Sequence, residues 1–208
     1  MLALLHTSPV HVPVFDALRD RDHPGLGLRH VVDEELLVRA VAEGPRAVAG
    51  AVEAALAKAV AQGAHAVLCT CSTVGTVAEE CAGAVGVPVL RVDRPMAAAA
   101  AAHSSVAVLA ALASTVEPTV ALIRQEAGER TPRVRAHVVE GAWELFEAGD
   151  QDGYLDAVAA AVDGVRDAEV IVLAQASMAG AAARAGTAVP VLASPGPGLA
   201  AAAAAVHG

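Results

Sequence analysis

Residues 67–75 read Val67-Leu68-Cys69-Thr70-Cys71-Ser72-Thr73-Val74-Gly75. The run begins apolar, passes abruptly to thiols and hydroxyls, and ends at glycine. In α/β proteins a buried strand of a parallel sheet has this pattern when its carboxyl end reaches a functional site. We therefore predict a strand over residues 66–70, with Cys71 just beyond it at the edge of a sheet.

The same pattern returns about half a chain later, without a cysteine. The second copy reads Val170-Ile171-Val172-Leu173-Ala174-Gln175-Ala176-Ser177-Met178-Ala179-Gly180. Each copy is followed by a Val-Pro-Val-Leu segment, at 87–90 and 189–192, and then by a proline before an alanine run. Upstream, we take residues 6–8 (His-Thr-Ser) as the counterpart of residues 113–115 (Ala-Ser-Thr). This internal repeat predicts two similar lobes.

Strands and helices alternate through both halves, which is typical of parallel sheets covered by helices on both faces. We predict an α/β fold of two pseudo-symmetric lobes, each a mostly parallel sheet flanked by helices, with an active-site cleft between them. Residues 1–95 and 197–208 are expected to form the first lobe, and residues 96–196 the second. Hydrophobic residues make up 55% of the chain but aromatic ones only 2%, so the cores must consist of Ala, Val and Leu.

Periodicity and turn residues predict the boundaries of several further elements. Helices are expected over residues 46–61, 76–84 and 178–184, and a strand over residues 135–139.

Composition excludes two classes of partner. The formal net charge is −9, from 14 basic and 23 acidic residues, and no basic cluster stands out, so we expect no nucleic-acid partner. The mean hydropathy of +0.52 raises the question of a membrane. However, the most apolar runs, 96–102 and 199–206, are far shorter than the roughly 20 residues needed to span a bilayer. No charged leader precedes the apolar N-terminal residues, so we expect a cytoplasmic protein without membrane contact.

Three cysteines, Cys69, Cys71 and Cys81, lie in one short region. Their odd number does not suit a disulfide framework, and Cys-x-Cys without a matching second half does not suit a zinc site. We predict no metal and no cofactor. Cys71, at the strand end beside two hydroxyls, is the candidate for chemistry, whereas Cys69 and Cys81 are expected to pack in the core.

These residues resemble the aspartate/glutamate racemase superfamily, which includes glutamate, aspartate and hydantoin racemases, maleate isomerase and arylmalonate decarboxylase. In that family a Cys-[Asn/Ser]-Thr motif follows a first-lobe strand, and a Gly-Cys motif follows the matching second-lobe strand. Residues 71–73 (Cys-Ser-Thr) stand at the first place. Residues 174–177 (Ala-Gln-Ala-Ser) stand at the second, so Gln175 replaces the second cysteine. The aspartate of the racemases' first loop and the histidine that can follow the second cysteine are also absent.

The resemblance implies a carboxylate site built from a thiol and several hydroxyls. It assigns Cys71 as the catalytic residue. As substrate-binding residues it assigns Ser8, Ser72, Thr73, Ser114, Thr115, Gln175, Ala176 and Ser177. The hydroxyl groups could equally cap helix N-termini. His6 is a candidate auxiliary acid–base group, with a hydrogen-bonded structural histidine as the alternative.

The substitution at Gln175 limits the mechanism. A cofactor-free racemase takes a proton from one face of a carbon and delivers one to the other, which two thiols can do and a neutral amide cannot. We therefore expect a cofactor-independent isomerase or racemase-like enzyme that acts on a small carboxylate through Cys71 alone. A decarboxylase-type lyase with Cys71 as proton donor, or a non-catalytic carboxylate-binding protein, are the alternatives. The alanine-rich helices make a homodimer plausible.

Overall fold

The structure is a computed structural model that describes residues 1–207. Contacts divide the chain into two compact units. Unit 1 comprises residues 1–92 and the segment from residue 195 onwards, and unit 2 comprises residues 93–194. Within the described residues, no helix has the length and apolarity needed to cross a membrane.

Unit 1 is a parallel sheet with helices on both faces. Its strands are β1 (Leu2–His6), β2 (Leu28–Val32), β3 (Ala66–Cys69) and β4 (Val89–Arg91), in the order β2-β1-β3-β4. Its helices, numbered along the whole chain, are α1 (His11–Asp22), α2 (Glu35–Glu43), α3 (Ala49–Ala61), α4 (Ser72–Glu80), α5 (Ala82–Val85) and α10 (Pro195–His207), with a 3-10 turn at Pro45–Val48.

The core of unit 1 follows from the alternation of side chains along β1. Ala3 and Leu5 pack on one face, in a cluster with residues of α2, α3 and α4. Leu2 and Leu4 pack on the other face, in a cluster with α1 and α10. Since both faces are covered, every residue of β1 is buried.

Unit 2 repeats this plan. Its strands are β5 (Ser105–Ala110), β6 (Arg133–Val138), β7 (Val170–Leu173) and β8 (Val191–Ala193), in the parallel order β6-β5-β7-β8. Its helices are α6 (Arg94–Ala100), α7 (Val116–Ala127), α8 (Ala142–Glu147) and α9 (Gln151–Gly164), with 3-10 segments at Ala113–Thr115 and Ala176–Ala183. The two four-stranded parallel sheets confirm the predicted α/β fold and its duplication.

Backbone hydrogen bonds align the two sheets residue by residue. The N–H of Thr70 donates to the carbonyl oxygen of Leu5 at 3.0 Å, and the N–H of Ala174 donates to that of Leu109 at 2.9 Å. These pairs make Leu5 and Leu109 equivalent. The residue after Thr70 is therefore equivalent to the residue after Ala174, as the repeat predicts for Cys71 and Gln175.

The same alignment corrects the upstream part of the repeat. Because Leu5 matches Leu109, His6 matches Ala110 and Ser8 matches Leu112. The predicted counterpart of residues 6–8, residues 113–115, is therefore wrong by three positions. Similar polar composition misled the comparison, whereas the hydrogen-bond ladder sets the register.

Several element boundaries differ from the prediction. The helix expected over 76–84 begins at Ser72 and is divided into α4 and α5. The helix expected over 178–184 is a 3-10 segment, Ala176–Ala183. The helix expected over 46–61 begins as a 3-10 turn, the strand expected over 135–139 is Arg133–Val138, and α2 was not predicted. Ser, Thr and Gly are weak helix formers, so helix propensity does not predict that α4 begins at Ser72.

Candidate functional site

Cys71 lies two residues beyond β3, at the N-cap position of α4. Its backbone is extended, with φ −108° and ψ 116°, and its side chain is half-buried and makes no capping hydrogen bond. The amino end of a helix favours a negative charge, because unpaired N–H groups and the helix dipole face it. The thiol is thus partly accessible at a position that suits a bound carboxylate.

The other two thiols are core residues, as expected. Cys69 is fully buried in the unit 1 cluster, and its Sγ lies 3.6 Å from the carbonyl oxygen of Cys71. Cys81 donates to the carbonyl oxygen of Val77 at 3.2 Å, and burial raises the pKa of its thiol. None of the three cysteines forms a disulfide bond, and Cys71 is the most accessible of them.

A series of side-chain hydrogen bonds runs from Thr70, the residue before Cys71, to His6, His30 and Asp16. The hydroxyl of Thr70 donates to the carbonyl oxygen of Leu5 at 3.1 Å, so it accepts its 2.8 Å hydrogen bond from Nδ1 of His6. Nε2 of His6 lies 2.8 Å from Nδ1 of His30, whose own Nε2 lies 3.3 Å from a carboxylate oxygen of Asp16. These hydrogen bonds thus link β1 and β2 to the residue that follows β3.

This arrangement gives His6 a positioning role. Its ring is fully buried, and burial, with smaller contributions from the nearby His11 and His30, lowers its pKa to about 3. With both ring nitrogens engaged and the ring neutral near pH 7, His6 does not suit proton donation. It is hydrogen-bonded to Thr70, the residue before Cys71.

The hydroxyls predicted for unit 1 gather at the same edge of its sheet. Ser8 follows β1, is half-buried, and has no side-chain hydrogen-bond partner within residues 1–207. Ser72 and Thr73 are the first two residues of α4 and are buried. Since β1 and β3 are neighbours in the sheet, Ser8 and Cys71 follow adjacent strand ends.

The sequence analysis missed Arg91, a buried cation at this edge. Arg91 ends β4 opposite Cys69, and its Nη1 donates to the hydroxyl of Thr76 at 2.7 Å. A Cβ added at Gly75 would lie 2.8 Å from its Nε, so a larger residue there would displace the Arg91 side chain. An arginine directly after the apolar segment 87–90 was the signal that could have identified it.

In unit 2, Gln175 has the backbone position of Cys71 but a different role. Its φ of −116° and ψ of 143° are again extended, before the 3-10 segment Ala176–Ala183. Its Oε1 accepts hydrogen bonds from the N–H groups of Ala111 (2.6 Å) and Leu112 (3.4 Å), just beyond β5. The amide oxygen therefore occupies two backbone donors at this edge of the sheet.

The remaining predicted residues of unit 2 are partly or fully buried. Ser177 shares a 2.8 Å hydrogen bond with the hydroxyl of Tyr154, whose pKa is raised by burial to about 12. Ala176 is buried. Thr115 is buried at the N-cap of α7 without capping it through its side chain, and Ser114 beside it is half-buried.

One further hydroxyl in unit 2 was not predicted. Ser194 follows β8, is fully buried, and its Oγ has no hydrogen-bond partner among the described residues. A buried hydroxyl without a partner is unusual and suits a bound water or ligand atom. In the same described part of the chain, no group of three or more His, Cys, Asp or Glu residues could hold a metal ion.

Comparisons with known proteins agree with this fold. A glutamate racemase isoform from Bacillus anthracis has a TM-score of 0.71 at 14% identity, with 100% of this chain and 82% of that chain covered. An aspartate racemase homologue from Pyrococcus horikoshii has a TM-score of 0.70 at 12% identity, covering 100% and 99%. An arylmalonate decarboxylase has a TM-score of 0.61 at 18% identity, covering 99% and 92%.

At these identities the structural likeness establishes the fold alone. No curated protein matches the sequence. A family model described as Asp/Glu/Hydantoin racemase matches residues 12–205, which is nearly the whole chain. The chain therefore belongs to the Asp/Glu/Hydantoin racemase family.

Proposed function

We propose that this protein is a cofactor-independent isomerase of the racemase type that acts on a small carboxylate through the thiol of Cys71. The proposal rests mainly on one observation. At two equivalent backbone positions, Cys71 presents a partly accessible thiol at a helix amino end, whereas Gln175 has its side-chain oxygen engaged by two backbone N–H groups.

The chemistry that follows uses one base. The thiolate of Cys71 removes the proton beside the substrate carboxylate and leaves a planar enediolate. For racemisation the enediolate then turns its other face toward Cys71, and the resulting thiol returns the proton to that face. The hydroxyls of Ser8, Ser72 and Thr73 are proposed to stabilise the enediolate oxygens. A carboxamide is neither an effective acid nor an effective base near neutral pH, so Gln175 supplies no second base.

An isomerisation of a double bond is also compatible with one thiol. The thiolate of Cys71 would add to one alkene carbon, and the negative charge would move to the carboxylate-stabilised neighbour. Rotation about the new single bond and elimination of the thiolate would then release the isomer. This sequence restores Cys71 and consumes no other reactant.

A lyase is the second candidate, and the replacement at Gln175 favours it. Decarboxylation needs one proton delivered to one face of the enediolate that remains after CO₂ departs. Cys71 would donate that proton and regain one from water. No opposing base is required, so the loss of the second cysteine leaves this reaction intact.

A panel of α-substituted acids, maleate-type alkenes and malonates, incubated with the protein in D₂O and followed by NMR, distinguishes these reactions. Racemisation with deuterium at the stereocentre indicates the proposed isomerase, and deuterium incorporation with retained configuration indicates exchange on one face without isomerisation. Geometric isomerisation indicates thiolate addition, and CO₂ release indicates the lyase. If no panel member reacts but one of them raises the thermal stability of the protein, the result would instead support a binding protein.

Substitution of the thiol tests its assignment. Cys71→Ser should lower the rate with any active substrate by at least about 100-fold, because it removes the proton-transfer group. The matched control is the Cys69→Ala, Cys81→Ala variant, in which Cys71 is the sole thiol and activity should remain. Full turnover by Cys71→Ser would exclude Cys71 as the catalytic residue.

A further inference from the structure

A basic groove lies along the edge strand β6 of unit 2, and it contains none of the residues predicted for the carboxylate site. The groove has a volume of about 470 Å³. Arg133, Arg135 and His137 line it from alternate positions of β6, so their side chains emerge on one face of the sheet. Arg166, from the segment after α9, completes the cationic lining.

Comparison with unit 1 shows why this face is open. The ladder makes Val31 of β2 equivalent to His137 of β6, since Asp33 and Val139 make matching hydrogen bonds with β1 and β5. Val31 packs against the cluster that contains residues of α2. His137 remains exposed. The same place in the repeat is thus a covered apolar face in one unit and an open polar groove in the other.

The charges in the groove are poorly compensated within the chain. The guanidinium of Arg133 is exposed and has no partner among residues 1–207. Arg135 lies 3.6 Å from the carboxylate of Asp167, and Arg166 donates to the carbonyl oxygen of Asp163 at 2.7 Å. Three guanidinium groups therefore face one lining carboxylate, in a chain whose net charge is −9.

The floor of the groove is apolar. It is formed by Ala107 and Leu109 of β5 together with Ala161 and Val165 at the end of α9. A volume of this size, with apolar walls and a few convergent polar groups, is typical of small-molecule sites. Guanidinium groups pair with carboxylate and phosphate oxygens in a bidentate geometry, which selects for oxyanions.

We propose that this groove binds a small organic anion whose carboxylate or phosphate headgroup pairs with Arg133 and Arg135 while its apolar body covers the floor. The inference is independent of the chemistry at Cys71. The cationic rim and the size of the groove together favour an amphiphile. An inorganic anion would leave most of the 470 Å³ unfilled, and a neutral apolar molecule would leave Arg133 unpaired.

Isothermal titration of the full chain with octanoate and octyl phosphate tests the proposal, with octanol and inorganic phosphate as comparison ligands. The two amphiphilic anions should bind, and octanol and phosphate should bind at least about tenfold more weakly. Arg133→Gln should weaken the anions about tenfold or more, through loss of a charge-assisted hydrogen bond. Since Arg133 is exposed and unpartnered, this variant should fold normally.

Arg29→Gln is the matched control, because Arg29 is exposed on β2 at the position equivalent to Arg135 and should leave anion binding unchanged. The proposal would be overturned by equal binding of octanol and octanoate, by unchanged affinity in Arg133→Gln, or by no binding in the millimolar range. Self-association of the wild type that Arg133→Gln abolishes, without anion binding, would assign the groove to a second copy of the chain.

Discussion

Cys71 and Gln175 each lie two residues beyond equivalent strands, and they differ in hydrogen bonding as well as in reactivity. The thiol makes no capping bond and is left to solvent or substrate. The carboxamide oxygen is committed to two N–H groups of the loop beyond β5. The side chain of Gln175 therefore satisfies two backbone donors of its own sheet edge. The asymmetry of the repeat is therefore built into the free protein.

The hydrogen bonds of Gln175 should be visible in stability. Gln175→Ala leaves the N–H groups of Ala111 and Leu112 without their acceptor and should lower the free energy of unfolding by about 1–3 kcal/mol. Gln175→Glu keeps an acceptor oxygen at the same reach and should lose less. Chemical denaturation of the three proteins at pH 7 measures the difference. Equal stability of wild type and Gln175→Ala would contradict the role assigned to Oε1.

The buried histidines make stability depend on pH. Burial lowers the pKa of His6 to about 3 and that of His11 to about 4, below the ordinary value of 6.5. Above pH 6.5 both are neutral in the folded and unfolded states. As pH falls below 6.5 only the unfolded state binds these protons, so each histidine lowers stability by about 1.4 kcal/mol per pH unit. The loss from each ends near its folded pKa.

Urea denaturation between pH 7 and pH 4.5 measures this slope. His11→Gln should reduce the slope by about 1.4 kcal/mol per pH unit in the middle of the range, because one of the two protons bound on unfolding is removed. A wild-type slope in His11→Gln would mean that carboxylates, rather than these histidines, govern the acid side of the profile.

Among the elements, α10 shows how a distant segment completes a core. It follows all of unit 2 in sequence, yet Leu199, Ala202 and Ala203 pack in the cluster that covers Leu2 and Leu4 of β1. Its alanine-rich composition permits this close approach. This alanine-rich helix is therefore one side of the unit 1 core.

A pair of glycine substitutions tests the packing of α10. A Cβ at Gly198 would lie closer than van der Waals contact to the carbonyl oxygen of Val92, whereas a Cβ at Gly196 would meet no atom within 4 Å. Gly198→Ala should destabilise by about 1–3 kcal/mol, as overpacking does, and Gly196→Ala should be neutral or slightly stabilising. Thermal unfolding of both variants provides the comparison, and equal effects would mean that α10 does not pack as described.

The two units differ in how the chain forms them: unit 2 is one segment, and unit 1 is two. Unit 2 is one uninterrupted segment with its own two core clusters, whereas unit 1 requires α10 from the other end of the chain. The lobe limits predicted from the sequence, 1–95 with 197–208 and 96–196, stay a prediction, as do a homodimer and a cytoplasmic location. Analytical ultracentrifugation of the full chain tests whether it forms a homodimer.

Fragments test the division into units. Residues 93–194 alone should unfold cooperatively, because all of β5 to β8 and both clusters are retained. Residues 1–92 alone should not, because removal of α10 uncovers Leu2, Leu4 and Phe15. Circular dichroism during thermal unfolding measures both. A fragment 93–194 without a cooperative transition would show that the unit depends on the rest of the chain.

The fold class, the repeat and the position of Cys71 were determined by the sequence alone. Apolar periodicity and turn residues are local signals, and strands such as β3 and β7 show them directly. Three features were decided only by tertiary structure: the acceptor role of Gln175, the side-chain hydrogen bonds that link His6 through His30 to Asp16, and the open face of β6. Each depends on groups that the sheet brings together from distant parts of the sequence. Local pattern cannot specify such pairs, because register and the covering of each face arise only when the strands assemble.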